Sequence, residues 1–369
     1  MNSERKEVLF LLHLPPPVHG SSIVGEIIKE SKLINDVFRG KYINLILSRK
    51  VNESGKTSMA KIIRFVKIWF SLLGKLIRNK PDLCYFALTT TGSGFRKDVL
   101  LVALLRAFRI KTIFHIHNKG ITKENKKRLN HLLYRFVFNK NRVILLSKHL
   151  YYDIASYIPE QDVYYCPNGI RDYQPRIAVL STVENRPFRI LFFSNLIKEK
   201  GVFELVNACA VLQAKGYNFQ CDFVGGEADI SERELTDYIE NLGLSEQIQY
   251  LGKRYGKLKE MVFEESDVFV LPSIYDCFPL VILEAMQHRL PVITFAEGGM
   301  PDMVDDGITG YLLQSNTDAN DLAGRIEILI NDPALREKMG ANGRMKYEQS
   351  FTQIIFEQRL LSILQNIIQ

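Results

Sequence analysis

Apolar residues recur along this chain in two alternating rhythms. A run of mostly apolar residues from Glu7 to Leu14 is closed by Pro15-Pro16-Pro17, and after Val18-His19-Gly20-Ser21-Ser22 the residues Ile23, Ile27 and Ile28 return at helical spacing. The pattern predicts strand, loop, helix. It repeats with KYINLIL as a strand, Ala60 to Arg78 as a helix, DLCYFAL as a strand, Arg96 to Phe108 as a helix, then KTIFHIH and NRVILLS as strands. The second half begins again with FRILFFSNL, a helix over Val202 to Lys215, FQCDFVGG, a helix over Ser231 to Leu242, IQYLG, DVFVLPS, a helix over Leu280 to His288, and PVITF. Strands alternating with helices predict parallel sheets wound on both faces. Two such units in tandem are expected, with a boundary near Asn168 to Pro187, where Pro and Gly cluster, and a closing helix over Phe351 to Gln369. No period of 20 to 50 residues recurs, which excludes a solenoid.

A length of 369 residues suits two domains, and a chain 46% apolar and 24% charged is neither disordered nor fibrous. Cys84, Cys166, Cys209, Cys221 and Cys277 lie far apart with no Cys-x-x-Cys, so neither a disulfide framework nor a structural zinc site is expected. Val8 to Leu14, broken by His13, is too short for an export signal, and no run reaches the roughly 18 apolar residues of a spanning helix. A cytosolic protein is expected. The net charge of +7 conceals an asymmetry: residues 1–170 carry 29 Lys and Arg against 12 Asp and Glu, and the remainder 19 against 29, giving halves of +17 and −10. Nucleic acid, an anionic membrane surface and a phosphorylated substrate are the candidate partners of such a split.

In an open parallel sheet, ligands bind outside the carboxyl ends of the strands. Four loops there carry candidate chemistry. Pro17-Val-His-Gly-Ser-Ser22 offers amide groups at a helix start, a plain turn or an anion site. In Thr112 to Gly120, strand alternation points His115 and His117 to one side; His117 is either structural or a hydrogen-bonding group for a substrate hydroxyl. In Ser194 to Gly201, Lys200 is a solvated lysine or a phosphate ligand. In Leu271 to Ile293, Asp276 lies in a loop, Pro279 sits where a first helical position tolerates it, and Glu284 falls within an apolar helix, where a carboxylate needs a partner.

The segment from Asp276 to Glu284, Asp276-x7-Glu284, resembles the E-x7-E signature of the family 4 retaining glycosyltransferases. Further matches follow in that family's order: Pro167-Asn-Gly-Ile170, Lys200-Gly201, Val224-Gly225-Gly226, Gly298-Gly-Met-Pro-Asp302 and Asp306-Gly-Ile-Thr-Gly-Tyr-Leu312. The resemblance runs over nearly the whole chain. It implies a GT-B fold, with residues 1–170 an acceptor-binding Rossmann-like domain, 171–346 a donor-binding one, and 347–369 a C-terminal helix packing back on the first. It also implies a metal-independent hexosyltransferase without a cofactor, since the nucleoside diphosphate sugar is a substrate, a UDP-sugar being preferred over a GDP-sugar. No Asp-x-Asp occurs, in keeping with the absence of a metal site.

Carried onto these positions, the resemblance makes His117, Lys200 and Asp276 catalytic. Gly20, Asn195, Lys200, the Phe278, Pro279, Leu280 and Val281 turn, and Glu284 then bind the donor: Glu284 at the ribose hydroxyls, Lys200 at the diphosphate, and His117 near the anomeric carbon. The chain departs from the family at Asn195, where an Arg is usual, at Asp276, where a Glu is usual, and at Cys277, where a Gly is usual. The implied acceptor is a glycan or lipid-linked glycan of bacterial surface polysaccharide or lipopolysaccharide assembly. A non-catalytic nucleotide-sugar or glycan-binding homologue is the alternative.

The basic half bears on the acceptor. Lys61, Arg64, Lys67, Lys75 and Arg78 recur at helical spacing among Ile62, Ile63, Val66, Trp69, Phe70, Leu73, Leu76 and Ile77. Such a helix either packs on a core with a solvated basic face, or lies on an anionic membrane surface, helped by Lys119, Lys123, Lys126, Lys127 and Arg128. The second reading makes the protein peripheral on the inner face of the plasma membrane. Nucleic acid is not expected, because no recognition motif accompanies the charge.

Overall fold

A computed structural model describes residues 5–47, 59–174, 186–315 and 317–369. The chain forms two compact units, Met1–Gly169 with Gln353–Gln369, and Ile170–Thr352. Of the expected boundary, residues 175–185 lie outside the described residues.

In the first unit, β1 (Glu7–Leu12) leads through α1 (Gly20–Glu30) and α2 (Lys32–Val37) to β2 (Arg39–Asn44), then α3 (Met59–Arg78), β3 (Leu83–Leu88) and α4 (Gly92–Ala107). β4 (Thr112–Ile116), α5 (Ile121–Glu124), α6 (Arg128–Phe138), β5 (Arg142–Leu145) and β6 (Val163–Tyr165) complete the sheet, which is parallel in the order β2-β1-β3-β4-β5-β6. Every residue of β1 and of β3 is buried. Helices cover both faces, which is why these strands read as continuous apolar runs rather than as alternation. α4 packs against both α3 and α6, as expected of three right-handed crossovers stepping one way across the sheet.

The second unit repeats the plan with β7 (Phe188–Phe193), α7 (Val202–Ala214), β8 (Phe219–Val224), α8 (Glu232–Asn241), β9 (Ile248–Gly252), α9 (Lys257–Glu264) and β10 (Val268–Leu271). α10 (Leu280–Gln287), β11 (Val292–Phe295), α11 (Met300–Met303), β12 (Gly310–Leu313), α12 (Ala319–Asn331) and α13 (Pro333–Ser350) follow. This sheet is also parallel, in the order β12-β11-β10-β7-β8-β9. The last helix, α14 (Gln353–Ile368), returns to the first unit, where it packs on α2.

Several elements differ from the sequence expectation. Residues 347–350 belong to α13, and the chain turns at Phe351–Thr352 before α14 begins, so the closing helix is shorter than 347–369. Pro279 is the residue before α10 rather than its first helical one, with φ −71° and ψ 114°. His117 lies just past the end of β4. Lys119, read as part of an exposed basic patch, is buried. α3 does not pack as a core helix with only its basic side in water: Leu72 and Leu76 alone are fully buried, and its other apolar side chains reach the surface.

Candidate functional site

A doubly wound sheet leaves a crevice at its carboxyl ends where the strand order reverses, because the two flanking loops run to opposite faces. In the second unit this point lies between β7 and β10. The loop after β7 is fastened to the turn after β8, where Ser194 N donates to Val224 O at 2.9 Å, Leu196 N to Gly226 O at 2.8 Å, and Gly226 N to Asn195 Oδ1 at 3.1 Å. Gly225 is required here, since a Cβ would run into the Ser194 carbonyl. On the other side, Ile274 N donates to Glu199 O at 2.9 Å, and Ser273 Oγ to the same oxygen at 3.1 Å.

These fastenings bring Lys200 Nζ to 2.5 Å from Asp276 Oδ1. The other carboxylate oxygen, Asp276 Oδ2, is buried without a hydrogen-bond partner. From below, Gly299 N donates to Cys277 O at 2.6 Å, and Gly298, at φ +56°, lies so close that a Cβ would meet the Asp276 carbonyl. The turn that carries Asp276 is therefore held from two sides. α10 begins next to it with no side-chain cap, so its first amide groups are left for solvent or a ligand. Phe278 and Leu280 are buried, and the Phe278 ring packs edge-on against Phe351 at 5.8 Å, which leaves their backbone as the part available to a ligand.

Glu284, one turn into α10, meets a different partner. Its Oε1 lies 3.1 Å from Lys259 Nζ, which is also 3.4 Å from Glu260 Oε1. Glu260 in turn lies 3.1 Å from His288 Nε2, and the His288 ring is stacked between Tyr173 and Phe263 at 4.9 and 5.0 Å. Burial pushes the Glu284 carboxyl above its usual range, and Lys259 opposes that shift. Burial likewise acts against the charge of Glu260, but its contacts with His288 and Lys259 prevail and hold it below the usual range. Sequence reasoning missed Lys259, Glu260 and His288. The only signal was that a carboxylate in an apolar helix demands a partner, which says nothing of who the partner is.

In the first unit the strand order reverses between β1 and β3. After β1, α1 starts at Gly20, and Ser22 Oγ accepts from His19 N at 2.9 Å. A Cβ at Gly20 would meet no protein atom within 4 Å, so the space above it is open. After β3 and β4, Asn118 joins the two loops by accepting from Thr90 N at 3.2 Å and donating to Thr91 Oγ1 at 3.2 Å. Asp153 then accepts from the amides of Gly120, Ile121 and Thr122 at 2.8 to 3.0 Å, fixing the turn beyond His117. His117 is half-buried, its ring 4.1 Å from that of His115, and its Nδ1 is buried without a hydrogen-bond partner. Burial lowers its pKa to about 3, so it is a neutral imidazole that can donate or accept a hydrogen bond but carries no charge. Burial, followed by the Lys97 ammonium, lowers His13 in the same way.

The predicted site residues thus fall into separate groups. Gly20 and His117 belong to the first unit. In the second, Lys200 and Asp276 meet each other, Asn195 joins two loops, and Glu284 is held by Lys259. Among the described residues no cluster of three or more His, Cys, Asp or Glu could hold a metal ion.

The sequence model of the family described as Glycosyl transferases group 1 matches residues 179–346. Over 175 residues the chain is 32% identical to the capsular polysaccharide biosynthesis glycosyltransferase CapM of Staphylococcus aureus, covering 47% of this chain and 45% of CapM. Over 188 residues it is 30% identical to the putative colanic acid biosynthesis glycosyltransferase WcaL of Salmonella typhimurium, covering 49% and 46% of the two chains. The chain thus matches less than half the length of either relative. Among solved structures, HepE of Anabaena in complex with UDP aligns with a TM-score of 0.74 at 19% identity, covering 98% of this chain and 100% of that one. A sucrose-phosphate synthase of Thermosynechococcus elongatus aligns with a TM-score of 0.74 at 18% identity over 99% of both chains. The likeness at this identity is one of fold: two Rossmann-like units in the GT-B arrangement of elements.

Proposed function

We propose that this chain, whose residues 179–346 belong to the glycosyl transferases group 1 family, transfers a sugar from a nucleoside diphosphate sugar to a glycan or lipid-linked glycan of a bacterial surface polysaccharide. The observation that carries the reading is the joining of Lys200, Asp276 and the uncapped start of α10 at the carboxyl-end crevice of the second sheet. An ammonium and free helix-start amides suit a departing diphosphate. A UDP-sugar is the preferred donor; the HepE structures hold UDP and UDP-glucose. Glu284, whose ionised form Lys259 favours against burial, accepts hydrogen bonds from the ribose. Within the first unit, the neutral imidazole of His117 is a hydrogen-bonding group for a sugar hydroxyl, and the open space over Gly20 suits a phosphate.

In this reading the reaction retains configuration and uses neither a resident metal nor a cofactor. The bond from the anomeric carbon to the diphosphate breaks, and the acceptor hydroxyl oxygen bonds that carbon on the same face. The hydroxyl proton passes to the departing phosphate oxygen, giving the glycosylated acceptor and a nucleoside diphosphate. Lys200 is then drawn from Asp276 toward the leaving group, and Asp276 turns to the donor sugar. The work is done on the cytoplasmic side of the membrane.

Incubation with UDP- and GDP-sugars, followed by measurement of released nucleoside diphosphate and of sugar transfer, tests the reading. Lys200→Ala is expected to lose at least about tenfold in rate, roughly 1.4 kcal/mol of transition-state stabilisation. Donor binding with no release or transfer under any condition would instead identify a non-catalytic homologue.

A further inference from the structure

The helical layer of α3, α4 and α6 carries apolar side chains on the outside. On α3, Ile62, Ile63, Val66, Phe70 and Ile77 are all exposed, Phe70 by 60% and Ile77 by 67%. At 100° per residue these five fall within an arc of roughly 100°, whose near edge at Ile62 lies about 40° from the buried Leu76. Lys67 and Arg78 border the outer arc on one side, and the helix has five Lys and Arg but no Asp or Glu. α6 repeats the arrangement, with Leu129 and Leu132 exposed by 59% and 61% and with Arg128 and Arg135 beside them, again without an acidic residue. α4, which packs against both helices, exposes Leu100 between them. An open cavity of about 700 Å³ on the same layer is lined by Arg106, His131, Arg135 and Phe136, and Arg106 lies over the Phe136 ring at 4.6 Å while bonding its carbonyl.

We infer that this face is the surface by which the protein docks on an anionic lipid bilayer, with the apolar arcs of α3 and α6 entering the acyl boundary and the Arg106–His131–Arg135 cavity receiving a lipid head-group phosphate. An exposed apolar arc flanked on one side by cations, on a helix without acidic residues, matches the profile of an anionic membrane, apolar beneath a negatively charged plane. A second copy of the chain fits poorly, because it would set an equally acid-free basic face against this one. None of the helices among the described residues is long and apolar enough to cross a membrane, so the helix lies along the surface. Trp69 and Phe70, in edge contact at 5.2 Å, supply the aromatic pair favoured at that depth. The inference extends the lipid-linked acceptor of the proposed function, but vesicle binding is read without donor or acceptor, so either can fail alone.

The test is flotation of the full chain with vesicles of phosphatidylcholine, alone and with phosphatidylglycerol added. Wild type is expected to bind the anionic vesicles at least about tenfold better. The Ile63→Ser/Phe70→Ser variant should lose binding to both, and Lys67→Glu/Arg135→Glu should lose the preference for anionic lipid. All four positions are solvent-facing or rim positions, and unchanged thermal unfolding and UDP-sugar binding confirm intact folds. Equal binding to both vesicle types, or anionic binding unchanged in both variants, overturns the inference. So does sedimentation showing a lipid-free dimer that Ile63→Ser/Phe70→Ser dissolves, or inorganic phosphate binding at the cavity without vesicle binding.

Discussion

Replacing Lys259 by Met removes the ammonium 3.1 Å from Glu284 Oε1 while keeping most of the aliphatic stem. A hydrogen bond to a charged group is worth about 1.5–3 kcal/mol, and one pKa unit corresponds to about 1.4 kcal/mol. Loss of the contact should therefore raise the Glu284 pKa further above its usual range. The direction follows from the balance at the site: burial and Glu260 favour the neutral carboxyl, whereas Lys259 and His288 favour the ionised one. A carboxylate accepts from two ribose hydroxyls, and a protonated carboxyl from fewer, so donor affinity should rise with pH as Glu284 ionises. Calorimetric titration of UDP-sugar between pH 5 and 9 is expected to show the inflection in Kd displaced to higher pH in Lys259→Met. The kcat at saturating donor should change little. The sign for stability is opposite to that of an ordinary ion-paired acid. A carboxyl whose folded pKa lies above the unfolded one favours folding at low pH and loses that contribution as pH rises through the folded pKa. The variant should therefore fall further below wild type in melting temperature at pH 8 than at pH 5. Superposable Kd profiles, or a Kd raised equally at every pH, would refute the link between Lys259 and the ionisation of Glu284.

Two further outcomes test the frame of the site. Gly298→Ala forces a side chain into a backbone at φ +56° and against the Asp276 carbonyl, so urea unfolding should show a loss of about 2–3 kcal/mol, with weaker donor binding in the fraction that folds. His117→Gln removes an imidazole that folding holds neutral down to about pH 3. A depressed folded pKa means stability that is present above the ordinary histidine value and drains away as pH falls toward 3, so the melting-temperature gap between wild type and variant should narrow from pH 7 to pH 4. A gap independent of pH would mean that His117 is not titrated by unfolding.

The buried strands were legible because both faces of each sheet are covered, so that β3 and, after Glu7, β1 are apolar runs bounded by loops. β6, with three residues, and β12, opening on Gly310, are too short to form a pattern, and their pairing with β5 and β11 comes from the sheet. α12 carries the same kind of signal, with Leu322, Ile326 and Leu329 at helical spacing. The meeting of Lys200 with Asp276 was not legible, since 76 residues separate them and only the pairing of β7 with β10 makes them neighbours. Asn195 stands where the resemblance implies a donor contact, and in the structure its amide oxygen also accepts from Gly226 N. A side chain that fastens two loops and one that touches a ligand leave the same trace in a single sequence.

The charge split has a similarly local meaning. In the first unit Asp82 is taken up by Lys6, Glu7 by Lys41 and Asp98 by Lys97, while the sequences of α3 and α6 contain no acidic residue. In the second unit, which follows from the acidic half, Asp267 is taken up by Arg186 and Asp172 by Arg344. Screening at physiological salt restricts exposed charges to a range of about 8 Å, so a net negative half does not forbid an anionic donor. In the proposed reaction the donor meets the groups within that range: Lys200, shared with a single carboxylate that has one oxygen already without a partner, and the uncapped first amides of α10. An incoming diphosphate can draw the ammonium from Asp276 without stranding it, because that carboxylate then has a sugar hydroxyl to accept from. Lys200 and Asp276 therefore act as one exchangeable pair, and removing Asp276 alone should tighten nucleoside diphosphate binding while slowing transfer, a divergence that two independent ligand contacts would not produce.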